Sequence, residues 1–445
     1  MSGAAPPRAP DPLRDPRAFL LDLFRVAVAL ADPMLVVPPH LPERPAGRLV
    51  VIGAGKASAR MAQAVEGRFG PCEGLVVTRY GHARPTRGIE IVEAAHPVPD
   101  EAGVAATARM LELASGLGPD DLALALVSGG GSALLCAPAK GLTLADKRAL
   151  NAALLASGAP ISVMNRVRKH ASRVKGGRLA AACHPARVLS LVISDVPGDE
   201  LSEIASGPTV GDPAGAAGGG AGGTDTAGAG VAALLDRHAI PLPDRLRAAL
   251  LASEGPLRAD DPRLARAETR VIAAPRQSLD AAAERARAAG VEARILGDAI
   301  EGEAREVARE HARRAGEVAD ALRPGDAPVL LLSGGECTVT RRGDGSGGPN
   351  AEYALAAAIA LDGHRRVHVL AGDTDGVDGA AEVAGAHAGP DTLQRARAAG
   401  ADPADALARN DAHAFFERAG GGIVTGPTLT NVNDFRAMLI APPRT

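Results

Sequence analysis

Residues Asp121–Leu135 read DLALALVSGGGSALL. Leu122–Val127 is an unbroken apolar run, which predicts a parallel strand covered on both faces. The run enters Ser128-Gly129-Gly130-Gly131-Ser132 and then Ala133-Leu134-Leu135, where a helix is predicted to start. The glycines let the backbone turn tightly and approach a ligand closely. Backbone N–H groups at such a turn, with the start of a helix behind them, favour an anion. A glycine-rich turn without a ligand is the plainer reading of the same letters.

The same rhythm extends to both sides. Arg48–Ile52 predicts a short buried strand, followed by Gly53-Ala54-Gly55-Lys56-Ala57-Ser58 and a helix over 59–69. This is not a Walker A loop, because Val50 stands where the first glycine belongs and Ala57 follows the lysine. It is an incomplete dinucleotide fingerprint, with Ser58 in place of the third glycine and no acidic residue after the next strand, 74–78. Arg79 keeps a 2′-phosphate, and so NADP, open. His96-Pro-Val-Pro-Asp100 reads as a rigid loop, with Asp100 as a helix cap and His96 as a structural residue. Thr143 introduces an amphipathic helix over 142–157. Val188–Ile193 predicts a strand ending at Ser194-Asp195, then Ala205-Ser206-Gly207-Pro208. A carboxylate just past a strand end suits a cation, or the capping of backbone N–H groups.

In the second half, strands at 269–273, 291–296, 329–332, 367–371 and 437–440 alternate with helices at 278–289, 303–322 and 352–361. Val329–Leu332 runs into Ser333-Gly334-Gly335-Glu336, a second strand ending in Ser-Gly-Gly. A glycine loop over 343–350 ends at Asn350, with Glu352 two residues on. The aspartates of 372–379, Asp375 among them, lack EF-hand spacing. Gly426–Asp434 is a polar loop carrying Asn431 and Asp434. Alternating strands and helices imply an α/β protein with open, mostly parallel sheets flanked by helices, whose ligands bind beyond the carboxyl ends of the strands. Two domains, 16–240 (Rossmann-like) and 241–445, facing each other across a cleft would collect all of these motifs. At the N-terminus, Arg17–Ala31 predicts a packing helix with Phe19, Leu20, Leu23, Phe24, Ala27 and Leu30 on one face. Pro213–Gly230 is low-complexity and reads as an exposed excursion.

Composition narrows the function. A net charge of −3, 2% aromatics and no Trp give no footprint for nucleic acid. Four scattered cysteines, with no C-x-x-C pair, argue against zinc and fit a reducing cytoplasm. No apolar run reaches the ~20 residues that span a bilayer. Only five of the 49 basic residues are lysine: Lys56, Lys140, Lys147, Lys169 and Lys175. A compact ammonium differs from a planar fork, so a chain that writes Arg elsewhere keeps Lys where a point charge is needed. Lys140 and Lys147 read as ordinary surface residues. The run Asn165–Leu179 mixes Arg168, Lys169 and Lys175 with Asn, His and Ser, which suits an anion pocket better than a solvated face.

Together VSGGGSALL, NRVRKHASRVKGGRLA and SDVPGDELSEIASGPTV closely resemble the glycerate 2-kinase family, the MOFRL-type glycerate kinases. GAGKAS, HPVPDE, LLSGGE, GGPNAE, TDGVDG and GPTLTNVNDF continue the resemblance in the family's order. It covers nearly the whole chain. It implies a MOFRL-type second domain and transfer of phosphate from ATP, with a divalent cation (Mg²⁺), to the 2-hydroxyl of D-glycerate. It also implies a catalytic role for Lys56, with Arg168, Lys169 and Lys175 beside it. Gly53, Gly55, Ser128, Gly129, Gly130, Gly131, Ser132, Ser206, Gly207, Ser333, Gly334, Gly335, Glu336, Asn350, Glu352, Asp375, Asn431 and Asp434 fall on its binding motifs. Asp195 is the candidate metal ligand, Arg168 the candidate clamp for the substrate carboxylate, and a homodimer is compatible with the reading. Many relatives carry Arg where this chain has Pro349, so that role is vacant or has moved. The rival readings are an NADP-dependent hydroxypyruvate reductase, a serine hydrolase using Ser132 and a non-catalytic binding module. Gly130-Gly-Ser132-Ala-Leu134 lacks the final glycine of a nucleophile elbow.

Overall fold

The apolar run Leu122–Val127 is a strand with every residue buried, at the middle of a six-stranded sheet. The computed structural model describes residues 9–212, 227–379 and 381–444. In chain order the strands of this sheet are β1 (Leu49–Ala54), β2 (Glu73–Arg79), β3 (Ile89–Ala94), β4 (Leu122–Val127), β5 (Arg187–Ile193) and β6 (Ala267–Ala273). They are ordered β3-β2-β1-β4-β5-β6, and all pairings among β1–β5 are parallel. The order reverses between β1 and β4, so the loops that leave these two strands diverge to opposite faces and open a crevice at their carboxyl ends. The glycine turns after both strands lie at that switch point.

The second sheet contains β7 (Glu292–Gly297), β9 (Val329–Ser333), β11 (Val367–Asp373), β12 (Gly385–Ala388), β13 (Gly422–Ile423) and β14 (Asp434–Ile440), ordered β13-β12-β11-β14-β9-β7. The short strands β8 (Gly302–Glu303) and β10 (Cys337–Thr338) pair separately. The α/β class holds, but strand direction in this sheet differs from the mostly parallel expectation. Only β7 and β9 pair in parallel; β14 runs antiparallel to both of its neighbours, and β12 to both of its own. The physical reason is the connection. The chain enters β14 directly from the 424–433 loop at the edge where β9 and β11 end, with no crossover helix to carry it back.

By its contacts the chain forms two compact units, residues 33–272 and residues 1–32 with 273–445. This division differs from the expected 16–240 and 241–445 at both ends. The helix Pro16–Leu30 buries Phe19, Leu20, Leu23, Phe24 and Ala27 in one core with Leu279, Leu330, Leu370 and Phe435. Phe24 meets Phe435 edge-on, Arg285 pairs with Asp22 at 2.9 Å, and Ser278 Oγ donates to the carbonyl of Ala27 at 2.9 Å. Leu30, expected on that face, is 40% exposed. The helix thus covers the second sheet, because its apolar face matches that sheet and not its neighbours in sequence. The last strand of the first sheet, β6, moves the other boundary to 272. Of the low-complexity stretch, 213–226 lies outside the described residues, whereas 227–230 begin the helix Ala227–Arg237.

Candidate active site

At the switch point the β1 turn is built by close approach. Gly53 and Gly55 have φ of +149° and +148°, and a Cβ at either would land on β4 or the residue after it: on the Leu126 carbonyl or on Ser128 Oγ. No other residue fits there. Ser128 is wholly buried, and its Oγ accepts the N–H of Ala57 at 3.0 Å at the start of the helix Ser58–Phe69. Ser58 Oγ donates to the Leu126 carbonyl at 3.1 Å. Ser128 therefore fastens the two turns together, a framework role where sequence suggested a ligand contact. Lys56 N–H donates to the Gly129 carbonyl at 2.8 Å, which sets the lysine directly beside the Ser128–Ser132 turn.

Gly130 has φ +79°, and a Cβ there would lie 3.1 Å from the His96 ring and 3.3 Å from Lys56 Cγ. The structure thus gathers Lys56, His96 and Gly130 at one point. Within the turn, Gly131 N–H donates to the Ser128 carbonyl and Ala133 N–H to that of Gly130. Among the described residues the N–H groups of Gly129 and Gly130 have no acceptor. Two unclaimed donors in a turn beside a lysine form a natural seat for a phosphate.

The residues 204–207 close the far side. Gly131 has no room for a side chain because the Ala205 methyl lies against it. Ala205 and Ser206 hold φ of +51° and +62°, a left-handed conformation that costs free energy in residues with a side chain. Ser206 Oγ lies 2.8 Å from Ser132 Oγ. Lys175, 3% exposed, donates to the Ser132 carbonyl at 2.7 Å and to Ser206 Oγ at 3.3 Å. Burial first, and then the charges of Lys147 and Arg168, push its pKa well below the usual lysine range.

The basic run resolves into separate roles. Lys169 is buried between Glu203 (3.1 Å) and Asp212 (3.4 Å), an internal ion triad. The Arg168 fork is taken by Asn151 Oδ1 at 3.0 and 2.6 Å, with another N–H on Asn165 Oδ1 at 3.0 Å. Asp195 stands two residues past β5, half-buried at the same sheet edge. Among the described residues no group of three or more His, Cys, Asp or Glu could hold a metal by itself.

In the other unit the expected binding residues are mostly held by neighbours within that unit. Both Glu352 oxygens are engaged, by Arg305 at 2.7 Å and Asn410 Nδ2 at 2.9 Å. Asp378 accepts the N–H groups of Asn350 (2.9 Å) and Ala351 (2.8 Å) and faces His413 Nε2 at 3.0 Å. It thereby caps the helix Pro349–Leu361, in which Pro349 occupies the first position that suits proline. Asp434 accepts from Asn350 Nδ2 at 2.7 Å and pairs with Arg436 at 2.7 Å. Asp375 Oδ1 accepts the Val377 N–H at 2.8 Å, and Asn431 Oδ1 that of Asn433 at 3.3 Å. Glu336 is exposed. Ser333, Gly334 and Gly335 are buried.

Sequence reasoning set aside two residues here, His96 and Lys147. Lys147 lies at helical spacing with Leu144, Leu150 and Leu154, all buried, so its place on the inner face was readable.

Two family models match the chain: "Domain of unknown function (DUF4147)" over residues 19–220 and "MOFRL family" over residues 329–434. A protein of Agrobacterium vitis provisionally named hydroxypyruvate reductase is 51% identical over 95% of this chain and 94% of its own length. The D-glycerate 2-kinase of Thermotoga maritima is 38% identical over 95% of this chain and 98% of its own. A crystal structure of a glycerate kinase from Thermotoga maritima superposes with a TM-score of 0.82 at 37% identity, covering 95% of this chain and 98% of the other. With the switch-point lysine, the two Ser-Gly-Gly turns and near full-length similarity in sequence and fold, this chain belongs to the glycerate 2-kinase family.

Proposed function

We propose that this protein transfers the γ-phosphoryl group of ATP to the 2-hydroxyl of D-glycerate, giving 2-phosphoglycerate and ADP. The observation that carries the reading is the junction of β1 and β4, where Lys56 stands beside a turn with two unclaimed N–H donors. Phosphoryl transfer asks mainly for positioning and for neutralisation of charge on the transferred group. Fixed backbone donors and one ammonium supply both, without reorganising as charge moves from ATP to the new ester. A single half-buried carboxylate such as Asp195 fits Mg²⁺, which takes most of its ligands from phosphates and water. Asp195 would hold the ion, which would offset negative charge on the phosphates. Four buried thiols, all free, suit a cytoplasmic setting.

The reductase reading rests on the same glycine turn, and the geometry weighs against it. In a dinucleotide fingerprint the second glycine leaves room for the pyrophosphate. Here the space at Gly55 is filled by Ser128 of the neighbouring turn. The hydrolase reading is weakened too, because the partner of the Ser132 hydroxyl is the Ser206 hydroxyl rather than an imidazole.

The test is a coupled assay. ADP should be released with D-glycerate, ATP and Mg²⁺, and enolase alone should consume the product. A requirement for a phosphoglycerate mutase would refute the regiochemistry. NADPH oxidation with hydroxypyruvate, without ADP release, would replace the kinase reading by the reductase.

A further inference from the structure

Lys147 extends from the inner face of the helix Leu144–Ala156. Its ammonium is inaccessible to solvent and has no hydrogen-bond partner among the described residues. A lysine used only for packing lays its stem on the core and lifts its charge into water. This one does the reverse, and an unpaired buried charge is costly. Its surroundings add positive charge. Arg168 and Lys175 lie within electrostatic reach, as does the Cys136 thiol. Among the described residues none of Lys147, Arg168 and Lys175 forms an ion pair, and the nearby acids Glu203 and Asp212 serve Lys169.

We propose that Lys147, together with Lys175, binds an oxyanion of a substrate next to the Ser128–Ser132 turn: the carboxylate of the hydroxy acid or a phosphate of the nucleotide. The proposal rests on the kinase reading for the identity of these ligands. Lys175 already reaches the Ser132 carbonyl, so an anion held between the two ammonium groups lies beside the turn that seats a phosphate in the kinase reading. The Arg168 fork, expected to clamp the carboxylate, is held by Asn151 and Asn165, which leaves it a fixed charge behind the site. The three N–H groups of Lys147 are the donors not yet used. No bond is made or broken in this step.

The test compares wild type with Lys147→Met and Lys147→Gln, and uses Lys140→Met, an exposed lysine, as control. Melting is followed alone, with D-glycerate and with ADP, and KM is measured for each substrate. Removing an unpaired buried charge should leave the free protein at least as stable as wild type. The melting shift from one ligand should vanish, since a ligand stabilises only what it binds. KM for the matching substrate should rise about 10- to 100-fold, as loss of a charged hydrogen bond implies, with kcat changed only a few-fold. Loss of the D-glycerate shift assigns the carboxylate; loss of the ADP shift assigns the phosphate. The proposal is overturned if both shifts and both KM values persist in either variant, or if both variants melt low with normal shifts. It is also overturned if neither ligand shifts the wild type. A wild type that shows the shifts but releases no ADP defeats the kinase reading alone.

Discussion

Two turns in this molecule have the same first letters, and they are used differently. The turn after β4 and the turn after β9 both begin Ser-Gly-Gly. In the second, Gly335 has φ +107°, and a Cβ would land on the backbone of Ile300. Gly334 N–H donates to the Gly297 carbonyl at 2.8 Å, and the carbonyls of Gly334 and Gly335 accept from Arg436 at 3.2 and 3.0 Å. In the first turn, a Cβ at Gly130 would meet Lys56 and His96, and two N–H groups remain unclaimed among the described residues. A buried arginine holds the carbonyls of one turn, whereas the other turn stands against a lysine and an imidazole ring. Glycine count marks where the backbone comes close; the partners decide what it comes close to.

The sharpest way to break this contrast is to remove the group that holds the second turn. Arg436 is 1% exposed and is paired with the buried Asp434. Arg436→Met strips that partner and two carbonyl donors, and should cost on the order of 3–5 kcal/mol, or roughly 10 °C in calorimetry. Retained stability in that variant would place the second turn outside the framework.

Lys56→Ala at the first turn should act on rate instead. We expect kcat to fall about 10²–10³-fold, the usual cost of one preorganised donor, with melting unchanged and KM less affected. Lys56→Arg should rescue poorly, because a fork does not replace a point charge in a tight turn. Normal kcat in a well-folded Lys56→Ala protein would remove Lys56 from the mechanism.

The smallest effect separates the units by acid. Burial pushes His311 and His387 in the unit of the second turn to about 4 and about 3, and His170 in the other unit to about 4. These folded values lie below the unfolded value of ~6.5. The unfolded chain therefore takes up protons first, so this stability is complete above pH ~6.5 and is lost as pH falls towards 4 and 3. Melting temperature should decline over that window, and His387→Gln should flatten the decline. An unchanged slope in that variant would mean that the ring is protonated without cost.

Much of the fold was legible because apolar runs and turn residues are local. Leu122–Val127 is β4 residue for residue, and Thr143 caps the helix Leu144–Ala156 through a capping box. The directions in the second sheet were not, since strand–helix alternation does not encode which way a strand returns. The cluster at β1 and β4 was readable from glycines and scarce lysines. The division of the basic run was not: only the fold shows that Lys169 is paired, that Arg168 is pinned and that Lys147 points inward. Likewise only the fold shows that Glu352 is held by Arg305, distant in sequence, and Asp434 by Arg436, two residues further along β14.

The helix Pro16–Leu30 is made long before most of its cover. Its cover includes Leu330, Leu370 and Phe435, so the ribosome must add roughly 400 further residues before the core can close. At ~5–20 residues per second that is on the order of 20–80 s. During that time the whole of 33–272 has emerged and can fold, while Phe19, Leu23 and Phe24 have none of those partners. We expect this helix to be a chaperone-dependent segment of the nascent chain. Stalled chains ending near residue 272 should be cut by protease within 16–30, and full-length chains should not; equal resistance in both would show that the helix finds an interim cover.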